Sequence, residues 1–322
     1  MKTTRRVMMV FLCFAAFASN AIAQATYPRE PIRFVIPFTA GSSTDTFARA
    51  AGRHLSEQFG QPVIVENVPG AQGQIAASKV AKSAADGHTV FITSSTTHAA
   101  NQSMYKKLSY DPVADFEPVA KLATLSLAMI VHPSIPAKNV QEFLAYAKAN
   151  PGKLTFGSGA SSSRIAGELL KIRGGIDMLH VPYKSNPQAV LDLIAGQISV
   201  VISDLTVTMP QARSGKARAL ALGGATRSPL APELPTMKEA GVPDYELDAW
   251  LAAFVPAKTP PAIIEKLNLA FKKALEDREI VSVLHKAGIV PSYSTAQELR
   301  TFAAAETDKW AEIVKAAAIQ PE

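Results

Sequence analysis

The segment from Ile32 to Gly60 constrains the fold more than any other part of the chain. An apolar run, Ile32-Arg33-Phe34-Val35-Ile36, stops at Pro37 and opens into Thr39-Ala40-Gly41-Ser42-Ser43-Thr44-Asp45. A helical pattern follows, with Phe47, Ala48, Ala51 and Leu55 at helical spacing. Strand, polar glycine-containing loop and helix start come in that order. The first N–H groups of such a helix lack intrahelical acceptors and carry the positive end of the helix dipole, so the turn can receive an anion. The loop holds no Lys or Arg, which suits a small solvated carboxylate better than a polyphosphate. The alternative is a plain capped helix, with Ser43, Thr44 or Asp45 as N-cap.

Residues 1–23 read as a secretory signal peptide. Lys2, Arg5 and Arg6 form a basic start, Val7 to Ala18 an apolar stretch too short to span a bilayer, and Ala21-Ile22-Ala23 a small-x-small cleavage site. The single cysteine, Cys13, lies in the apolar stretch without the small residues that precede a lipoprotein cysteine. The exported protein is therefore expected to have no disulfide, thiol nucleophile or thiolate metal site. Cleavage removes three of 33 basic residues and none of 27 acidic ones, lowering the formal charge from +6 to +3. The remaining Lys and Arg are scattered, which argues against nucleic acid as a partner. No later run of about 20 apolar residues suggests a membrane span. The length left exceeds one typical domain, and two lobes sharing a cleft are expected.

Short β-rich runs alternate with longer helical patterns, an α/β arrangement in which mostly parallel sheets are expected. Strands are predicted at 32–37, 63–66, 89–93, 127–131, 155–157, 178–181, 200–203, 217–222 and 253–256. Helices are predicted at 45–58, 73–82, 140–150, 163–173, 188–195, 206–214, 236–240, 261–276, 279–287 and 295–318. Ligands of open α/β sheets bind beyond the carboxyl ends of strands. The loops there share a composition rich in hydroxyls and glycine: Thr39–Asp45, Thr93–His98, Gly157–Ser163 and Ser203-Asp204. One such loop is banal, but several at strand ends favour a polar small-molecule cleft.

Catalytic motifs are missing from the sequence. None of the six histidines has H-E-x-x-H or another close metal-ligand spacing, and no G-x-S-x-G elbow or P-loop occurs. Asp204 has the chemistry of a general base but no visible nucleophile or metal partner, and it also reads as the cap of the following helix. Trp250 and Trp310 read as core residues.

An ordered series of tracts carries a family resemblance over nearly the whole mature chain. Tyr27-Pro28, then Pro31 to Phe38, Gly41 to Asp45 and Ala48-Arg49 open it; Val65-Glu66-Asn67, Pro69-Gly70-Ala71 and Gly73 follow. Gly157-Ser158-Gly159, Ala166-Gly167-Glu168-Leu169, His180 to Lys184, Ala189 to Gln197, Gly215 to Ala221, Pro235-Thr236 with Glu239-Ala240-Gly241, and Trp250 with Pro256-Ala257 complete it. In these the chain resembles the Bug-type extracytoplasmic solute receptors of tripartite tricarboxylate transporters. The resemblance implies an α/β, two-lobed periplasmic binding protein of type II with a ligand cleft between lobes. Lobe 1 would hold residues 24–125 and 223–322 and lobe 2 residues 126–222, with hinges near 121–125 and 223–227. It further implies no catalysis, cofactor or metal, and a likeness to monomeric receptors that serve membrane permease subunits.

On that basis the ligand is expected between the lobes, with Phe38, Ala40, Ser42, Ser43, Thr44 and Asp45 on one side. Ser158, Ala160, Ser161, Ser162, Arg164, Tyr183 and Asp204 face it from the other, with Ser94, Ser95, Thr96 and Thr97 near the hinge. Three departures from the family pattern stand out. Ser42 replaces a glycine, Arg164 stands where a His is common, and Ser185-Asn186 stand where glycine is usual. A sensor that hands its liganded form to a signalling partner shares the same expectations, and a secreted hydrolase built on Asp204 or a loop serine is the rival from another class.

Overall fold

The computed structural model describes residues 27–322, so the expected leader and Cys13 lie outside the described residues. The chain opens with β1 (Ile32–Ile36), α1 (Ser43–Phe59), β2 (Val63–Asn67), α2 (Gln74–Ala81) and β3 (Thr89–Ser94). A π-turn at Thr96–Ala100 leads into the single-turn helix α3 (Asn101–Met104), then β4 (Phe116–Leu125) and β5 (Leu127–Val131). Next come α4 (Val140–Ala149), β6 (Leu154–Ser158), α5 (Ser161–Gly174), β7 (Met178–Pro182) and α6 (Asn186–Ile194). They are followed by β8 (Val200–Asp204), α7 (Leu205–Arg213) and β9 (Arg218–Leu222). The last stretch holds β10 (Ala249–Pro256), α8 (Pro261–Glu276), α9 (Arg278–Lys286), β11 (Val290–Pro291) and α10 (Ala296–Ala316).

Two sheets result. The first has the order β11-β4-β10-β3-β1-β2, the second β7-β6-β8-β5-β9. Both are mixed, which corrects the expectation of mostly parallel sheets: β1 lies parallel to β2 and β3, and β6 parallel to β7 and β8. β10 runs antiparallel to β3 and β4, and β5 antiparallel to β8 and β9. The cause is connectivity. β4 passes through Ser126 straight into β5, so a strand that finishes one sheet begins the other.

The ten-residue β4 was not expected, because Glu117, Pro118 and Lys121 interrupt its apolar pattern. Pro118 pairs with Phe254 at a register shift of β10, where a missing N–H is tolerated. The helix expected at 236–240 is instead a turn, with the Ala240 N–H donating to Thr236 O at 2.9 Å, and Thr236 bridges to Leu222 beside β9. Ala231 and Leu234 pack with Ala128, Leu205, Met209 and Leu222 of the second sheet. Residues 223–247 thus stay with the second sheet, and the chain returns to the first at Ala249, opposite Leu125. The return crossing therefore lies near Asp248 rather than 223–227. Among the described residues no helix is long and apolar enough to cross a membrane.

Candidate functional site

The carboxyl ends of β1, β3, β6, β7 and β8 meet around one cleft between the two sheets, closed down to a cavity of about 20 Å³. Phe38, Ser42, Ser43 and Thr44 line it after β1, Ser94 ends β3, Ala160 and Ser162 follow β6, Ser185 to Pro187 follow β7, and Asp204 with Val207 follow β8. Leu125, Leu127 and Ala249, beside the crossings, close it. Its polar residues are almost fully shielded: Ser43 is 5% exposed, Ser94 4%, Ser162 5% and Asp204 6%. The two halves are closed on one another.

Helix starts dominate the electrostatics. Ser42, Ala160, Ser185 and Asp204 are the N-cap residues of α1, α5, α6 and α7, and all four line the cavity. Only Ser42 caps with its side chain, accepting from the Asp45 N–H at 3.3 Å. The other three helices have no side-chain cap. The Leu205 N–H of α7 is spent on Ser126 O at 3.2 Å and Pro187 of α6 has no N–H, so the groups left for a ligand are chiefly those that begin α5 and the Asn186 N–H. The Ser185 hydroxyl and the Asp204 Oδ1, both in the cavity lining, are buried without a partner. No Lys or Arg lines the cavity, so an anion would be held by N–H groups, hydroxyls and helix dipoles.

Around the first loop, cap and cradle coexist. The cap is Ser42, one residue earlier than the candidates read from the sequence, and Gly41 at φ +80° makes the turn into it. The Ser42 N–H donates to Thr39 O at 3.3 Å and is spent inside the loop. Ala40 is exposed and does not line the cavity. Asp45 stands behind the loop, where its carboxylate accepts from Gly41 N at 3.0 Å, Asn67 Nδ2 at 3.0 Å and Arg49 Nε at 3.1 Å. Burial opposes its ionisation, but Arg49, the Gly41 N–H and Asn67 outweigh that and hold the carboxyl below its ordinary range. Asp45 orders the loop; it does not face the cleft.

Several other expected ligand contacts are engaged elsewhere. Ser158 Oγ and His180 Nε2 lie 2.7 Å apart, away from the cavity; Ser161 Oγ donates to Asn101 Oδ1 at 2.7 Å. Arg164 forms an ion pair with Glu322 at 2.6 Å, and the Tyr183 hydroxyl donates to Asp192 Oδ2 at 2.7 Å. Burial, followed by the Asp192 bond, pushes the Tyr183 phenol up to about 12. Thr97 bonds with Thr93 at 2.6 Å and His98 Nδ1 at 3.0 Å, while Ser95 and Thr96 are buried in the π-turn outside the cavity lining. Sequence reasoning flagged Ser185-Asn186 as a departure but placed no ligand contact there. Their signal was position, a polar pair right after β7 at a helix start.

Burial raises the Asp204 carboxyl, against the lowering effects of hydrogen bonds from Ser203 and Thr206. Its Oδ2 accepts from Ser203 Oγ at 3.2 Å. Glu30, Asp86 and His88 place ligand atoms within 4.8 Å of one another, but outside the cleft lining.

Residues 47–319 match the model of the tripartite tricarboxylate transporter family receptor. The chain belongs to this family. It is 34% identical to Protein BugT of Bordetella pertussis over 312 residues, covering 96% of this chain and 95% of that protein. Among solved structures it is similar to R. palustris Rpa4515 with adipate, at 34% identity and TM-score 0.90, over 92% of this chain and all (100%) of that one. MatC (Rpa3494) from Rhodopseudomonas palustris with bound malate is 30% identical with TM-score 0.85, over 89% of this chain and 100% of that one. The fold is that of the two-lobed periplasmic binding proteins.

Proposed function

We propose that this chain is a periplasmic receptor that captures a small organic carboxylate in the cavity between its sheets and delivers it to the permease subunits of a tripartite transporter. One observation carries the reading: four helix N-termini, three without a side-chain cap, converge with the buried unpartnered Ser185 hydroxyl on a cavity that no Lys or Arg lines. Charge-assisted bonds to a carboxylate are roughly twice as strong as neutral ones, so such a ligand satisfies these groups best. The adipate and malate in the related structures support the same class. One lobe holds residues 27–125 and 249–322, the other residues 126–248, with the hinge at Ser126 and Asp248. The receptor is exported through the leader read at residues 1–23 and acts as a monomer, without cofactor or catalysis.

The Ser158–His180 pair does not favour a hydrolase. Ser158 is 0% exposed, and burial together with the Arg164 charge lowers His180 to about 4, a poor base at neutral pH. No carboxylate among the described residues hydrogen-bonds the His180 ring to orient it. A thermal-shift screen over mono- and dicarboxylates, amines and sugars tests the receptor reading, because a ligand of the folded state raises its melting temperature. A rise with carboxylates alone is expected; rises confined to amines or sugars overturn the assignment.

A further inference from the structure

Among the described residues, Asp204 is the only titratable side chain that lines the cavity. It is 6% exposed, its Oδ1 has no partner, and it makes no side-chain cap to α7. A buried carboxyl without a cation is far cheaper to hold neutral than charged. A neutral carboxyl is a hydrogen-bond donor, so its natural counterpart is an acceptor on the ligand. Phe38, Leu125, Leu127, Pro187 and Val207 supply apolar wall for a hydrocarbon spacer.

We infer that the cavity takes a dicarboxylate whose second carboxylate shares one proton with the Asp204 carboxyl, so that capture carries a proton in with the ligand. The inference rests on the carboxylate-receptor reading. The first carboxylate meets the uncapped N-termini of α5 and α6, and the spacer crosses the apolar wall. Two carboxylates face to face without a cation cannot both stay ionised. The single proton between them comes from water: in the open form Asp204 is solvated and ionised, and on closure it binds one proton.

The surrounding charges leave this proton to Asp204. On α5, Arg164 pairs with Glu322, Glu168 with Lys171, and Arg173 lies 3.9 Å from Asp244. Asp192 of α6 accepts from Tyr183, Arg213 of α7 donates to Leu230 O, and Arg218 of β9 donates to Ala137 O. Strands β5 and β6 carry no titratable side chain. Across the cavity, Asp45 is bound by Arg49. At the hinge Asp248 titrates near about 6, so proton uptake is best read above that value.

Calorimetric titration of the full-length mature protein with succinate and adipate, and with butyrate and hexanoate as length-matched monocarboxylates, tests this. Between about pH 7 and about pH 8, in two buffers of different ionisation enthalpy, binding of the preferred dicarboxylate is expected to take up about one proton. Its Kd is expected to rise about tenfold over that pH unit, and to be at least about tenfold below that of the matched monocarboxylate. Asp204→Asn keeps a donor that does not titrate, and is expected to bind the dicarboxylate with no proton uptake and a flat pH profile. Wild-type binding without proton uptake, equal affinity for the monocarboxylate, or loss of dicarboxylate binding in folded Asp204→Asn overturns the inference and leaves the carboxylate reading standing. If Asp204→Asn does not fold, the wild-type measurements decide alone. No binding by any of the four acids or other carboxylates overturns the receptor reading itself.

Discussion

The Ser161 hydroxyl donates to Asn101 Oδ1 across the cleft at 2.7 Å. Ser161 begins α5 on the second sheet, and Asn101 begins α3 behind the first. Asn101 is fully buried, and its amide donates to Gln72 O at 3.0 Å and lies 3.2 Å from the Tyr110 hydroxyl. The receiving side of the bond is therefore fixed, and the bond joins an element of the second sheet to one of the first. A residue expected to hold ligand here ties the two sheets together.

Ser161→Ala should accordingly weaken binding without touching the cavity. One neutral hydrogen bond contributes about 1 kcal/mol, so affinity should fall by roughly fivefold, chiefly through faster dissociation. Stopped-flow release of a bound carboxylate measures it. An unchanged off-rate would show that the bond forms equally in the open state.

The first loop separates capping from ligand holding. Ser42→Ala removes the side-chain acceptor of the Asp45 N–H and should cost about 1 kcal/mol of stability. Ser43→Ala removes a cavity-lining hydroxyl that caps nothing, and should lower affinity by about fivefold at unchanged melting temperature. Thermal melts paired with calorimetry on both variants check the split. Equal effects of the two changes on stability, with none on affinity, would leave the loop as a cap alone.

Much of this architecture was legible in the sequence, and what was not has definite physical causes. The strand–loop–helix unit at β1 and α1 and the bounds of α8 follow from apolar spacing, which packing then preserves. The polar composition of the strand-end loops pointed to the edge of the sheets where the cavity lies. Direction was hidden: Ser158 ends β6 but bonds sideways to His180 on the neighbouring strand, and Thr97 turns into its own π-turn. Hydroxyl content says nothing about which face of a strand or turn a side chain takes. β4 was masked by Pro118, whose place at a register shift only strand pairing reveals.

Gly159 should be irreplaceable for cleft geometry. A Cβ there would lie 2.0 Å from the Ser185 carbonyl carbon and 2.3 Å from Asn186 N, both backbone atoms at the start of α6. The Gly159 N–H also donates to Asn186 Oδ1 at 2.8 Å. Gly159→Ala must push α6 away from the cavity, costing about 1–3 kcal/mol of stability and taking an N-terminus from the ligand. Denaturant melts and titration of the folded variant should show both losses. Wild-type affinity in Gly159→Ala would remove α6 from the binding site.

Asp248 places a pH-dependent cost where the chain returns to the first sheet. Burial raises its carboxyl to about 6, and the favourable Lys309 charge does not compensate. Its Oδ1 has no partner, and Gly224 packs so close that a Cβ there would meet Oδ2 at 2.4 Å. In the unfolded chain the group ionises near about 3.9. Because the folded value is the higher one, the native state binds the extra proton between these values. Its contribution to stability is thus fully present below the unfolded value and lost as pH rises through about 6. At about pH 8 the ionised group should cost up to about 3 kcal/mol, two pH units at about 1.4 each. Asp248→Asn removes the charge while keeping the shape. Urea unfolding should find Asp248→Asn more stable than wild type at about pH 8, with the gap about halved at about pH 5 and closing only below about pH 4. A gap independent of pH would mean that Asp248 titrates alike in the folded and unfolded chain.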